Sequence, residues 1–269
     1  MKWEGFHHPD LSLPVLRRNV GLELLELMEG LGNVVTTRGF SWVLKAHCPS
    51  RKAYHMAVHR LRKRGLVARR SSGGAMHVLR LTDEGKASLS DIHRPQKFWR
   101  KKWNRIWYVL VYDVPEKHRH YRDSLRGFLS RLRMGCLQQS VWISPRDIRP
   151  EYADMVEASG VDEFSHLFEA RTVLGRGPEE IVRSGWPFDR LECIQRRFCE
   201  VYESNCEKLL SQKVAPADVA RLAAEEMRAY RIAMQDDPLL PSTLWPSGYL
   251  GEEVWRVHQR ILREIGSHL

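Results

Sequence analysis

The positively charged residues between Arg51 and Arg70 are the strongest chemical signal in this sequence. The stretch carries eight Lys or Arg residues and no Asp or Glu. Side chains of this type donate hydrogen bonds to guanine edges in the major groove, and they also neutralise backbone phosphates. A cationic stretch of this density therefore predicts contact with double-stranded DNA.

The candidate contacts divide by their position along the stretch. Residues expected to reach base edges lie on a predicted helix, and they are Arg51, Lys52, His55, His59 and, further along, Arg62. Residues expected to hold phosphates, and so to supply sequence-independent affinity, follow them: Lys63, Arg64, Arg69, Arg70 and Ser71. Ser50 is expected to cap the helix at the same surface, whereas Arg60 is expected nearer the core-facing side.

Other reactive combinations in the chain are weak. His55 and His59 stand four residues apart, a spacing that can chelate a metal, but no Glu completes an HExxH arrangement. The sequence has no nucleophile elbow, P-loop, glycine-rich dinucleotide motif or zinc cluster. Its five cysteines form no CxxC pair, which is typical of reduced thiols in a cytosolic protein. The sequence therefore predicts no catalytic residue, no bound metal and no cofactor.

The elements that must position the basic residues can be predicted from spacing. Apolar residues at helical spacing predict a first helix over 15–29 and a shorter second helix over 39–47. A third helix over 51–64 follows, with Gly65 just beyond its last turn. "LVARR" and "AMHVLRL" then alternate like strands around a Ser-Ser-Gly-Gly turn. This is the arrangement of a winged helix-turn-helix, whose third helix enters the major groove while the hairpin lies along the backbone or minor groove.

The sequence as a whole predicts an α+β, multidomain protein. Residues 1–94 form the predicted winged helix-turn-helix domain, and residues 95–105 form a basic linker whose tryptophans are expected to anchor on a neighbouring domain. Residues 106–182 carry a β-α-β-α-β order typical of a small ferredoxin-like domain, with "GCLQQSVWISP" as one strand and Tyr121 on the inward stripe of a helix. Residues 183–269 form a helical C-terminal domain.

The net charge of +10 is unevenly distributed along the chain. Residues 1–94 hold a net charge of +8, whereas residues 95–269 hold only +2. This asymmetry favours a module that faces nucleic acid, because a membrane-surface module would need an amphipathic helix with a large exposed apolar face. No apolar run approaches the ~18–20 residues needed to cross a bilayer, and the N-terminus lacks the apolar core of a signal peptide. The predicted location is the cytoplasm.

Three motifs, in order and over nearly the whole chain, resemble the PaaX family, named for the bacterial repressor of phenylacetate degradation. They are "HRLRKRGLV" followed by a hairpin and "LTDEGKASL", then "WYVLVYDVPEKHRHYRDSLRGFLSRLRMGCLQQSVWISP", then "DPLLPSTLWPSGYLGEEVW". The resemblance implies a homodimeric, operator-binding transcriptional regulator that responds to a small effector, in the namesake an aryl-acyl-CoA thioester. One departure is Leu66, which stands where the family commonly has an aromatic residue.

The central block is also similar to the small ferredoxin-like endonuclease of CRISPR spacer acquisition, through "YDVP" and "LQQSVW". In that nuclease an Asp at the end of the first strand binds a divalent metal, and Asp113 occupies the corresponding place. The resemblance therefore leaves open a metal-dependent nuclease in which two Asp113 carboxylates, one from each subunit, converge on a metal ion. A lone Asp at this position could instead cap a turn or pair with Arg119 or Arg122.

The main functional prediction is a homodimeric repressor whose winged helices grip the two halves of an inverted repeat and are released by an effector. The alternatives are the Asp113 nuclease and a non-enzymatic module whose basic surface binds an acidic protein. The effector site is the least defined part of this interpretation. Trp186, Trp245, Arg196 and Arg197 could line a pocket, or the tryptophans could pack between domains.

Overall fold

A computed structural model describes residues 3–5, 24–26, 28–29, 48, 50–71, 77–159, 164–172 and 175–268. The chain divides into two compact units, which are described separately here. The first comprises Met1–His93, Cys193–Gln235 and Leu250–Leu269, and the second comprises Arg94–Glu192 and Asp236–Tyr249. This division places the long C-terminal helices in the same unit as the segment expected to bind DNA.

In the first unit, the basic stretch folds as a helix followed by a hairpin. Helix α1 spans Arg51–Lys63, strand β1 spans Val67–Ser71, strand β2 spans His77–Leu81, and the short helix α2 spans Asp83–Ala87. The two strands pair antiparallel, with Val67 opposite Leu81 and Ser71 opposite His77. The predicted third helix and hairpin are therefore present. Of the predicted first helix, residues 24–26 and 28–29 are helical, whereas the predicted second helix lies outside the described residues.

The bounds of α1 follow from its end residues. The Ser50 hydroxyl accepts a hydrogen bond from the amide of Ala53 at 3.1 Å, so it caps the helix as predicted. At the other end Gly65 adopts a φ of +72°, a left-handed conformation that glycine reaches without steric cost. One side of α1 packs into the interior through four residues: Tyr54, Ala57, Val58 and Leu61. The hairpin therefore begins directly after a helix whose orientation is fixed by its buried side.

The backbone of Gly85, in α2, lies very close to the backbone of Leu66 at the base of the hairpin. A Cβ atom at this position would lie 2.0 Å from the carbonyl oxygen of Leu66 and 3.2 Å from the Leu81 side chain. The Thr82 hydroxyl caps the same helix by accepting from the Gly85 amide at 2.9 Å, and it donates to the Gly65 carbonyl at 2.6 Å. The base of the hairpin and the start of α2 are therefore held together by backbone contacts.

Replacing Gly85 by Ala is expected to lower the free energy of unfolding by at least about 3 kcal/mol, the upper range for overpacking, because a backbone atom blocks the new methyl group. Chemical denaturation of the full chain measures this change. Gly127→Ala is the matched control, because its Cβ would meet only an Arg131 nitrogen at 3.5 Å. Since Ala stabilises helix interiors relative to Gly by ~0.5–1 kcal/mol, the control should not destabilise. Equal effects of the two substitutions would contradict the proposed steric cause.

The second unit is built around a four-stranded antiparallel sheet with the strand order β4-β5-β3-β6. Its strands are β3 Trp107–Tyr112, β4 Gly135–Gln138, β5 Val141–Ser144 and β6 Ser165–Ala170. Its first helices are the short α3 Gln96–Trp99, then α4 Arg119–Arg131 and α5 Arg149–Ser159. The order β-α-β-β-α-β and the antiparallel sheet are ferredoxin-like, as predicted.

Two details of that prediction were wrong. The segment "GCLQQSVWISP" forms two strands, β4 and β5, because Gln139 and Ser140 make a tight turn between them. Tyr121, expected to face inward from α4, is 51% exposed. The rest of the predicted stripe does face inward: Leu125 and Leu129 are buried, Phe128 packs partly against them, and they contact residues of the sheet and of α5.

The other face of the sheet is covered near one end by helix α6, Pro178–Gly185. Ile181, Val182 and Trp186 pack there against Trp107 and Ile143. The predicted linker tryptophans also serve packing: Trp99 is 4% exposed and sits edge-on to Trp245, with 5.7 Å between ring centroids. The basic linker is therefore anchored within the second unit.

Three long helices follow, α7 Phe188–Ser211, α8 Pro216–Gln235 and α9 Gly251–Ser267. The first unit is completed by α8, α9 and the part of α7 from Cys193 on. Helix α8 is tied to the N-terminal segment by two buried polar contacts. The Tyr230 hydroxyl donates to the Ile92 carbonyl at 2.6 Å, and Arg231 pairs with Glu26, which is 1% exposed. Among the described residues, no helix combines the length and apolar character needed to cross a bilayer.

Candidate nucleic-acid interface

The exposed side of α1 collects the residues predicted to contact DNA. Opposite its buried side, α1 and its flanking residues present side chains that are all exposed: Ser50, Arg51, Lys52, His55, His59, Arg62, Lys63 and Arg64. At 100° per residue, the members of this set within the helix fall in one arc of about 120° that leaves out the four inward residues. Ser50 and Arg64 flank the helix at its two ends. The structure thus brings the predicted helix contacts onto one solvent-facing surface, which we call the basic face of α1.

The basic face carries uncompensated positive charge. Among the residues that the structure describes, no carboxylate forms an ion pair with Arg51, Lys52, Arg62, Lys63 or Arg64. The first turn of α1 contains no acidic residue. These cations are therefore available to an anionic partner, and an extended polyanion could engage several of them at once.

The cations at the two ends of α1 have different relations to the helix dipole. Arg60, Arg62 and Lys63 occupy the last turn, where the dipole favours positive charge and stabilises the helix. Arg51 and Lys52 occupy the first turn, where the same dipole disfavours positive charge by ~0.3–1 kcal/mol each. Helix stability therefore does not account for the positive charge of Arg51 and Lys52.

Two residues of α1 differ from the sequence-based expectation. Arg60, expected near the core-facing side, is exposed, and its Nε donates to the Met56 carbonyl at 3.3 Å within the same helix. Met56 itself is 52% exposed on the basic face, an apolar side chain among cations. A helical-wheel projection places Met56 next to Lys63 and nearly opposite the four buried residues, so its exposure could have been predicted. It offers the apolar contact that a thymine methyl group requires.

The hairpin contacts are described only through their backbone. Arg69 pairs with Leu79, and Arg70 pairs with Val78, in the β1–β2 ladder. Residues 72–76 of the turn lie outside the described residues. The predicted phosphate contacts of Arg69, Arg70 and Ser71 therefore stay predictions, placed on a strand that starts just after α1.

Metal-binding residues were predicted to be absent, with His55 and His59 as the weak exception. Both rings are exposed on the basic face, and the His55 ring lies edge-on to Tyr54 at 5.4 Å between centroids. Within the described ranges, no group of three or more His, Cys, Asp or Glu side chains is placed to hold a metal ion. The two histidines thus belong geometrically with the neighbouring cations.

Asp113 stands just after β3, the first strand of the ferredoxin-like sheet, and its side chain is exposed. Its amide donates to the Phe164 carbonyl at 2.8 Å, which fixes the backbone there. The two arginines considered as its partners pair elsewhere: Arg119 with Asp123 at 3.9 Å and Arg122 with Glu116 at 2.8 Å. The suggested ion pair of Asp113 with either arginine was therefore wrong.

Of the four residues considered for an effector pocket, Trp186, Trp245 and Arg197 make contacts within the fold, whereas Arg196 is exposed. Trp186 is buried, and its indole nitrogen donates to the Arg133 carbonyl at 3.0 Å. The Trp245 indole donates to the Leu240 carbonyl at 3.0 Å, and Arg197 pairs with Glu4 at 3.1 Å. Packing, the second of the two interpretations, accounts for both tryptophans.

Comparison with known proteins locates one family feature in the chain. Residues 100–182 match the family model described as the PaaX protein central Cas2-like domain. This segment contains the complete ferredoxin-like sheet and its two helices, α4 and α5. No match was found among curated proteins.

Among solved structures, the uncharacterized protein Rv0674 from Mycobacterium tuberculosis has a similar fold. The two chains are 17% identical, the TM-score is 0.54, and the alignment covers 91% of this chain and 94% of the other. The similarity therefore concerns the fold over most of both chains. The family match by itself confirms the predicted resemblance over residues 100–182, which are similar to the central Cas2-like domain of PaaX proteins.

Proposed function

We propose that this protein is a sequence-specific DNA-binding transcriptional regulator that contacts double-stranded DNA through the basic face of α1 and the adjoining hairpin. The observation that carries the proposal is the position of Arg51 and Lys52. They are exposed and have no carboxylate partner among the described residues, although the helix dipole disfavours them there. An array of phosphates and guanine edges supplies the missing negative potential.

The base contacts of the proposed complex come from Arg51, Lys52, His55, His59 and Arg62. Arg or Lys contacts to guanine discriminate against other bases by ~1–3 kcal/mol each. Sequence-independent affinity comes from Lys63, Arg64, Arg69, Arg70 and Ser71, with Ser50 at the start of the helix. A winged helix-turn-helix, which we propose for residues 1–94, would use α1 as its recognition helix.

The PaaX-type central domain supports a regulator that acts as a homodimer on an inverted repeat. In such a complex, two copies of α1 enter successive major grooves on one side of the duplex, about 34–36 Å apart or a multiple of that distance. We further propose that a small effector releases the DNA, which makes the protein a repressor acting in the cytoplasm. Moving the equilibrium from mostly bound to mostly free requires a ~10³–10⁴-fold preference of the effector for the released state.

Titration of the full chain with the DNA that lies upstream of its own gene, at increasing salt concentrations, tests this proposal. We expect affinity at least ~10³-fold higher than for random duplex of equal length. We also expect log K to fall linearly with log salt concentration, with a slope near −0.9 per phosphate contact. Equal affinity for both duplexes at every salt concentration would contradict sequence-specific binding.

We propose no enzymatic role for the chain. The same titrations, repeated with Mg²⁺ or Mn²⁺, should leave the DNA at full length. Cleavage that disappears in Asp113→Ala would instead support the nuclease, because Asp113 is exposed after the first strand of a Cas2-like domain.

A further inference from the structure

The second unit contains a cleft of about 440 Å³ that the proposed DNA contact does not use. Three of the segments that line it belong to the ferredoxin-like domain or its basic linker, and the fourth is the Pro238–Pro241 stretch of the "DPLLP" loop. Its volume lies within the range of ~300–1,000 Å³ typical of small-molecule sites. The cleft is therefore large enough for a metabolite-sized ligand.

Cations dominate the lining of the cleft. Four basic side chains contribute to it: Lys101, Lys102, Arg133 and Arg146. Two of them share one aromatic ring, because the Lys101 ammonium lies 5.5 Å and the Arg146 guanidinium 6.0 Å from the centre of Phe98. Arg146 is further oriented by donating from Nη2 to the Leu132 carbonyl at 2.8 Å. The cleft thus presents an apolar ring flanked by positioned positive charge.

Asp147 and Glu151 offset the charge of the four basic residues of the cleft only in part, so the lining keeps a net positive charge. Asp147 is engaged by Arg149, whose Nη2 lies 2.7 Å from Oδ2, and these contacts hold the pKa of Asp147 below its ordinary value. The other acid, Glu151, has a buried Oε2 atom with no hydrogen-bond partner among the described residues. A ligand that brings an anion for the cations and a hydrogen-bond donor for Glu151 would satisfy both.

The backbone around the cleft is held in costly conformations. Arg133 and Leu239 both line it, and both have positive φ, at 60° and 51°. Side-chain-bearing residues adopt such conformations at a cost of ~1–3 kcal/mol, and they cluster at ligand-binding sites. Asp237 fixes this wall: it is fully buried, its Oδ1 accepts from the Leu239 amide, and its Oδ2 accepts from the Tyr249 hydroxyl, both at 2.8 Å.

From this combination of volume, charge and fixed backbone, we propose that the cleft binds a small organic anion, one that carries a phosphate or carboxylate group beside a hydrogen-bond donor. Lys101, Lys102 and Arg146 hold the anionic group, and Phe98 packs against the apolar part. The inference concerns the second unit alone, so it stands or falls independently of DNA binding by α1.

Isothermal titration calorimetry of the full chain with inorganic pyrophosphate, in the absence of DNA, tests the anion site. The double variant Lys101→Ala, Lys102→Ala should weaken pyrophosphate binding at least about tenfold, because each charge-assisted contact contributes ~1.5–3 kcal/mol, and 1.4 kcal/mol corresponds to a factor of ten. Both residues are exposed, so their replacement should leave the fold intact. Arg146→Gln, which keeps a donor but removes the charge, should weaken binding similarly.

The matched control is Lys97→Ala, Arg100→Ala. These two exposed cations belong to the same basic segment and give the same change in charge, but they do not line the cleft. The control should weaken pyrophosphate binding clearly less than the Lys101, Lys102 variant, since Lys97 and Arg100 do not line the cleft and act on its ligand only through solvent-screened electrostatics. Equal weakening by both double variants would show general attraction to the basic segment and overturn the proposal.

A second outcome would also overturn it. If saturating random duplex DNA displaces pyrophosphate, the cleft contacts nucleic-acid phosphates and not a small molecule. The absence of measurable pyrophosphate binding, with calorimetry extended to millimolar concentration, would equally contradict an anion site. Neither result would affect the test of specific DNA binding by α1.

Discussion

Replacing Lys52 and Arg62 together by Glu is expected to weaken binding to the upstream DNA by about 1,000-fold, since two contacts worth ~1–3 kcal/mol each are lost and repulsion is added. Both side chains are exposed on the basic face of α1, and neither has a carboxylate partner among the described residues. The substitutions should not unfold the helix, because its buried side is unchanged. Fluorescence anisotropy with labelled duplex measures the loss.

The control for this prediction changes the net charge equally at another surface. Arg196→Glu with Lys213→Glu alters two exposed cations, one on α7 and one after it, and is expected to change affinity by less than about fivefold at physiological salt, where the Debye length is ~8 Å. If the control lost as much affinity as the α1 variant, overall charge would be responsible and the basic face would have no special role.

Arg231→Met is expected to cause the largest loss of stability, about 3–5 kcal/mol, because it leaves the Glu26 carboxylate buried and without its main partner. Glu26 is 1% exposed, and His93 stands 3.4 Å away at its other side. Urea denaturation of the full chain measures the loss. The double variant Glu26→Leu, Arg231→Met removes both charges and should regain most of it; failure to regain it would contradict the electrostatic cause.

The same pair predicts an acid sensitivity. Burial by itself raises the pKa of Glu26, but the facing His93 and Arg231 side chains outweigh burial, so the pKa lies below its ordinary value. A carboxyl group with a lowered pKa stabilises the fold fully above its unfolded pKa, ~4.3 for Glu, and this contribution is lost as the pH falls through the folded pKa. Stability measured between pH 6 and pH 3 should therefore fall less steeply in the double variant.

Local signals were sufficient to predict the elements that carry the basic face. Ser50 and Gly65 bound α1 because capping and left-handed conformations depend on residue type at single positions. The β4–β5 turn was missed because Gln139 and Ser140 lack the Asn-Gly, Asp-Gly or Gly-containing pair that two-residue hairpin turns favour. The exposure of Tyr121 shows the limit of a helical stripe, which does not indicate which of its positions the neighbouring elements cover.

Contacts between residues that are far apart in the sequence could not be predicted from these local signals. The pairing of Glu26 with Arg231 joins residues 205 positions apart, and a lone Glu within an amphipathic helix reads as surface. The proposed anion cleft combines four separate segments. Two residues that line it, Arg133 and Leu239, have positive φ although neither is a glycine, so their sequence does not predict that conformation. Residue spacing predicts which face of a single helix or strand is buried. A site built from several separate segments can be identified only from the three-dimensional structure.

The contacts of α8 with Glu26 and Ile92 limit how residues 1–94, the proposed DNA-binding domain, can be separated from the rest of the chain. A fragment cut after residue 94 would expose the Glu26 carboxylate without Arg231 and leave the Ile92 carbonyl without the Tyr230 hydroxyl. Such a fragment would lack the side chains of α8 that pair with its buried polar groups. A chimaera that transfers the proposed DNA-binding domain must therefore also include α8.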